Sequence, residues 1–132
     1  MADSVVQHDM DTSDLGDPKG FISGIDRIQI PCDEKLNDKV RVAAEAVEGL
    51  ACHQGIIATG DQFVGSKDKL NRLMEEFGAV ACEMEGGSIG QVCYINKVPF
   101  TVVRAISDNA NDDAHMDYPK FLKIAVKKSF KL

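Results

Sequence analysis

Between Ile56 and Asn96 the chain twice passes from an apolar run too short for a helix to a segment of helical length, and few folds accommodate that order. Ile56, Ile57 and Ala58 form the first run, which Gly60 closes. Ser66 then stands where an N-cap belongs, ahead of Leu70, Leu73, Met74 and Phe77, which recur at helical spacing until Gly78. Ala79 to Cys82 reads as the next strand, and residues 85–96 as a mostly apolar helix expected to be buried. Strands joined by helices of this length need crossover connections, so neighbouring strands run parallel and both sheet faces are covered. The predicted class is α/β, a mainly parallel or mixed sheet with helices on both faces.

The flanking segments extend this pattern. Ser4, Val5 and Val6 look like the end of a buried strand with only three residues before it, which predicts an N-terminally incomplete sheet. The Gly-, Asp-, Ser- and Pro-rich stretch 9–24 reads as a long ordered loop of the kind that carries function or an interface. Leu36, Val40, Ala43, Val47 and Leu50 repeat at helical spacing, with Asp33 suited to the helix start and Gly49 to its stop. Residues 99–106 form a β-branched strand, and a basic helix follows with Phe121, Leu122, Ala125 and Val126 inward. At 132 residues and 44% apolar side chains, a single domain over 1–132 is expected.

Charge and cysteine usage narrow the function. Fifteen basic against 21 acidic residues leave a net charge of −6 and no basic cluster, which opposes binding to a phosphate backbone. No segment approaches the ~20 apolar residues of a membrane span, and the start lacks signal-peptide features. A cytoplasmic protein with neither nucleic acid nor membrane as partner is the expectation. Cys32, Cys52, Cys82 and Cys93 form no Cys-x-x-Cys pair, and His8, His53 and His115 lie at no zinc spacing from them, so reduced, mostly buried thiols and no metal are expected.

In α/β sheets ligands bind at the carboxyl ends of strands. Three polar clusters fall there: Thr59-Gly60-Asp61-Gln62-Phe63-Val64, Cys82-Glu83-Met84-Glu85-Gly86, and Arg104-Ala105-Ile106-Ser107-Asp108. Each is weak alone, but all three converge if the sheet is as read. The run from Ala81 through Asn109 resembles the signature region of methylthioadenosine/S-adenosylhomocysteine nucleosidases, within the larger purine nucleoside phosphorylase superfamily. The resemblance takes in Gln7-His8-Asp9-Met10-Asp11, Gly60-Asp61-Gln62-Phe63, Pro99-Phe100 and Asp108-Asn109-Ala110, and so nearly the whole chain.

The resemblance implies hydrolysis of an N-glycosidic bond with release of adenine, in methionine salvage, without a cofactor. It gives Asp108 the role of general acid at the departing base, an office that needs burial to raise its pKa. It gives Glu85, with Glu83 nearby, the ribose hydroxyls, which a carboxylate with two acceptor oxygens suits. Phe63 would stack on adenine, the Val64 backbone would read its edge, Met84 would lie beneath the ribose, and Tyr118 would line the 5′-alkylthio pocket. Ser107 and Arg104 would orient the carboxylates around them. Plainer roles stay open: a loop cap for Asp108, a helix-terminal carboxylate for Glu85 or Glu83, core packing for Phe63, Met84 and Tyr118, and phosphate binding by Arg104 in a phosphorylase.

The chain also departs from the family. The family's water-activating glutamate lies on a first strand that precedes the matched region, so this chain has a candidate for the acid at the leaving group and none for the base at water. A non-catalytic, self-associating purine-binding module is therefore the alternative to an enzyme. His8 and Asp9 fall in a loop that the family places near its homodimer interface. Gly87 and Gly90 stand where the family has small residues such as Ala, and each is expected to weaken its helix by ~0.5–1 kcal/mol.

Overall fold

The structure, a computed structural model, describes residues 1–106 together with 122, 123, 125 and 126. The elements are β1 (Ala2–Gln7), a short 3-10 turn (Ser13–Leu15), β2 (Gln29–Pro31), α1 (Glu34–Glu45), β3 (Gly55–Thr59), α2 (Lys67–Phe77), β4 (Ala79–Glu83) and α3 (Gly86–Ile95). The sheet order is β2-β1-β3-β4. β1 pairs parallel with β3, and β3 with β4, while β2 runs antiparallel to β1. The mixed α/β sheet is the class the alternating pattern implied.

Period-two alternation in β1 and β3 builds two separate cores. Val5 and Ile57 face one side, with Ala2, Ile22, Ile30, Cys32, Phe100 and Val102, and Cys93 and Tyr94 of α3 pack on them. Val6 and Ala58 face the other, where Leu73 and Phe77 of α2 and Ala79 join them. Leu73 and Phe77 are four apart and share the inward stripe of α2; burying each contributes ~1.5–3 kcal/mol. Ser66 caps α2 by accepting from the Lys69 amide at 3.3 Å. Gly78, at φ +67°, ends it in a left-handed cap. Asp33 caps α1 through the Leu36 amide at 2.9 Å.

Several expectations are corrected. Residues 99–106 join the sheet as no strand: they run beside the start of β1, where the Ala2 amide donates to the Val102 carbonyl at 2.8 Å, and only Phe100 and Val102 turn into the core. α1 stops at Glu45, short of the stop expected at Gly49, and its buried residues are Asn37 and Ala44 rather than the apolar stripe. Asn37 is inward because its amide donates to the Ala2 carbonyl at 2.9 Å and its oxygen accepts from the Thr101 hydroxyl. α3 is not wholly buried: Ile89, Val92 and Ile95 are each at least 58% exposed, and its inward face is Gly86, Gly87 and Gly90. Leu122 and Val126 are exposed rather than inward, and Phe121 lies outside the described residues. Cys32 is buried and Cys82 and Cys93 half-buried, but Cys52 is exposed.

Candidate active site

Because β1, β3 and β4 run parallel and pair Gln7 with Thr59 and Thr59 with Glu83, these three residues end side by side. The chain ties these ends together as it leaves the sheet. The His8 amide donates to the Thr59 carbonyl at 2.8 Å, and the Gly60 amide to the Glu83 carbonyl at 3.2 Å. Asp9 then bridges two turns: one carboxylate oxygen accepts from the Asp61 amide at 2.6 Å and the other from the Gln7 side-chain amide at 3.1 Å. Asp9 thus braces the Gly60–Asp61 turn, a role its place in the sequence had not suggested.

Glu83, the last residue of β4, turns its carboxylate back under the first turn of α3. It accepts from the Glu85 amide at 3.1 Å, from the Gly86 amide at 2.7 and 2.9 Å, from the Thr59 hydroxyl and from Arg104. The Thr59 hydroxyl accepts in turn from the Gly87 amide at 2.7 Å. Helix termini leave amides unpaired, and here Glu83 and Thr59 satisfy three of them from outside the helix. A carboxylate also suits the positive end of the helix dipole. Burial pushes the Glu83 carboxyl up, but hydrogen bonds from Thr59, Gly86 and Glu85 and the charge of Arg104 outweigh it, holding the group below its ordinary value.

Glu85 occupies the N-cap position without capping its own helix. Its carboxylate meets Arg104 at 2.7 Å, so one guanidinium nitrogen serves both Glu83 and Glu85. The two differ in exposure: the Glu83 side chain is 9% exposed and that of Glu85 61%. The loop after β3 presents Phe63, 76% exposed, while its neighbour Val64 is half-buried on the α2 side of the sheet. Met84 is exposed at the β4–α3 turn.

The structure therefore brings Thr59, Gly60, Glu83, Glu85 and Arg104 together, as the strand-end pattern implied. Ser107, Asp108 and Tyr118 lie outside the described residues. Among the described residues no group of three or more His, Cys, Asp or Glu side chains is placed to hold a metal ion. The sequence marks Thr59 only as part of its strand-end cluster. A hydroxyl residue at the last position of a buried strand, opposite a strand-end Glu, was the available signal.

A family model described as the phosphorylase superfamily matches residues 1–132. The chain is 41% identical over 131 residues to the aminodeoxyfutalosine nucleosidase of Helicobacter pylori, which covers 99% of this chain and 56% of that protein. It is 37% identical over 130 residues to the 5′-methylthioadenosine/S-adenosylhomocysteine nucleosidase of Haemophilus influenzae, covering 98% and 56%. Among solved structures, the Helicobacter pylori 5′-methylthioadenosine/S-adenosylhomocysteine nucleosidase superimposes with a TM-score of 0.87 at 42% identity, over 98% of this chain and 55% of that one. A mutant of that protein with 5′-methylthioadenosine in the active site gives 0.88 at 41% identity, over 98% and 55%. The chain thus spans about half the length of the relatives it matches.

Proposed function

The chain belongs to the phosphorylase superfamily, and from that premise we propose that it forms the nucleoside-binding part of an N-glycosidic hydrolase that releases adenine from 5′-methylthioadenosine and S-adenosylhomocysteine. The observation that carries this reading is the carboxylate pair at the β4–α3 turn, in which Arg104 holds both Glu83 and Glu85 while Glu85 stays open to solvent. Cleavage places positive character on the ribose and negative charge on the departing base. A fixed anionic acceptor strengthens its hold on the sugar hydroxyls as that positive character grows.

In this reading Glu85 grips the ribose, Phe63 stacks on adenine, and the Val64 backbone reads the base edge. Asp108 delivers a proton to the adenine ring as the glycosidic bond breaks, and water supplies hydroxide to the sugar carbon. Met84 and Tyr118 line the sugar and its 5′-substituent, and Ser107 stands beside Asp108. The group that activates water belongs to the part of the family domain that these 132 residues do not span. A homodimer, a cytoplasmic location and a place in methionine salvage are parts of the same proposal. The 40% and 41% identities to aminodeoxyfutalosine nucleosidases favour that nucleoside as a second substrate.

The test is adenine release from each of these nucleosides, with and without phosphate, by this chain combined with the N-terminal half of the family domain. Release that needs no phosphate supports the hydrolase. Strict phosphate dependence sinks it in favour of a phosphorylase, and binding without release would make the chain a purine-binding module.

A further inference from the structure

Resting on the reading of Glu85 as the ribose carboxylate, we propose that Glu83 is not a ligand of the substrate but forms, with Thr59, a clamp that positions Glu85. A carboxylate offers about four lone-pair sites. Among the described residues Glu83 has four donors on them: the Thr59 hydroxyl, the Glu85 and Gly86 amides, and Arg104. Each of its oxygens carries at least two of these contacts, so a sugar hydroxyl could bind only by displacing one. Among the described residues the Glu85 side chain accepts a single hydrogen bond, from Arg104 to one oxygen, and its other oxygen has no donor.

Thr59 completes the device. It is buried at 1% exposure and has one hydroxyl proton, which goes to Glu83, while its lone pair takes the Gly87 amide. A relay therefore runs from the first turn of α3 through the end of β3 to the end of β4. Amides of three consecutive residues, Glu85, Gly86 and Gly87, are held by two side chains that the rigid sheet fixes. The backbone of Glu85 is located by that relay and its carboxylate by Arg104, which Glu83 also anchors. Geometry of this kind loses function when a supporting contact loosens, even though the support touches no substrate.

The experiment uses the whole chain with Glu83→Gln, Thr59→Val and Thr59→Ser, read by amide hydrogen exchange and by calorimetric titration with adenosine and with adenine. The expected result is exchange at least tenfold faster at Glu85, Gly86 and Gly87 in Glu83→Gln and Thr59→Val, with Val5 and Ile57 unchanged. Thr59→Ser, which keeps the hydroxyl, is expected to retain protection. Adenosine should bind at least tenfold more weakly to both loosened variants while adenine binds within twofold of the parent. Weakened adenosine binding with unaltered exchange in Glu83→Gln would overturn the clamp and return Glu83 to direct contact with the sugar. Should Thr59→Val fail to fold, Glu83→Gln against Thr59→Ser still decides the matter. A parent chain that binds adenosine no better than adenine overturns the ribose role of Glu85 and with it the positioning claim, whereas the exchange data separately decide whether the clamp exists.

Discussion

The Gly87 amide meets the Thr59 hydroxyl at 2.7 Å, and a Cβ on Gly87 would stand 2.7 Å from the Thr59 Cβ. α3 can lie this close to β3 only because no side chain intervenes. The same holds one turn on, where a Cβ on Gly90 would come within 2.8 Å of the Phe100 ring. Glycine here is a condition of packing, and the helix-weakening that propensity assigns to it is the lesser effect.

Gly87→Ala is accordingly expected to destabilise. Its helix-propensity gain is ~1 kcal/mol. Overpacking against the end of a buried strand costs ~1–3 kcal/mol, and the loss of the Gly87–Thr59 contact adds to it. Gly24→Ala is the control, since nothing lies within 4 Å of its Cβ position and its backbone is ordinary. Melting curves should show a drop of several degrees for Gly87→Ala and almost none for Gly24→Ala. An equal or raised melting temperature at Gly87 would mean that α3 stands off the sheet.

How much of this was legible in the sequence varies with how local the cause is. The caps Asp33, Ser66 and Gly78 were readable because the signal sits within four residues of the helix end. The strands β3 and β4 were readable from short apolar runs. β2 was not, because only Ile30 of its three residues turns inward and one residue has no period. Residues 99–106 have the composition of a strand, but the position they occupy, beside the first residue of β1, depends on tertiary contacts. Asn37 broke the apolar stripe of α1 because its partners, Ala2 and Thr101, are 35 and 64 residues away. At the site, the grouping of Glu83, Glu85 and Arg104 followed from strand ends, while the different work of the two glutamates lay in hydrogen bonds that no spacing records.

Acid should weaken the fold through Glu83. Its folded pKa is depressed, so the stability it contributes is present above the ordinary glutamate range and is lost as the pH falls through the folded value. Glu83→Gln removes that titration. The stability gap between parent and Glu83→Gln, measured by denaturant melts from pH 7 to pH 3, is expected to be widest near neutrality and to narrow below the ordinary carboxylate range. A gap independent of pH would show that the charge of Glu83 contributes nothing and that only its shape matters.

Phe63 separates binding from stability. A phenylalanine in a core costs ~3–5 kcal/mol when cut to alanine. At 76% exposure Phe63 buries too little for that, and its ring lies over Gly65, where a Cβ would meet it at 2.7 Å. Phe63→Ala is therefore expected to leave the melting temperature within a degree or two of the parent. If the ring is the platform for adenine, the same change removes base stacking of ~1–3 kcal/mol, which is roughly 5- to 150-fold in affinity. Calorimetric titration with adenine alongside a melting curve reads both quantities on one preparation. Phe63→Tyr, which keeps a π-face, should restore most of the affinity. A variant that melts early and binds normally would place Phe63 in the packing of the loop, and one that changes neither would leave the exposed ring without a role in this site.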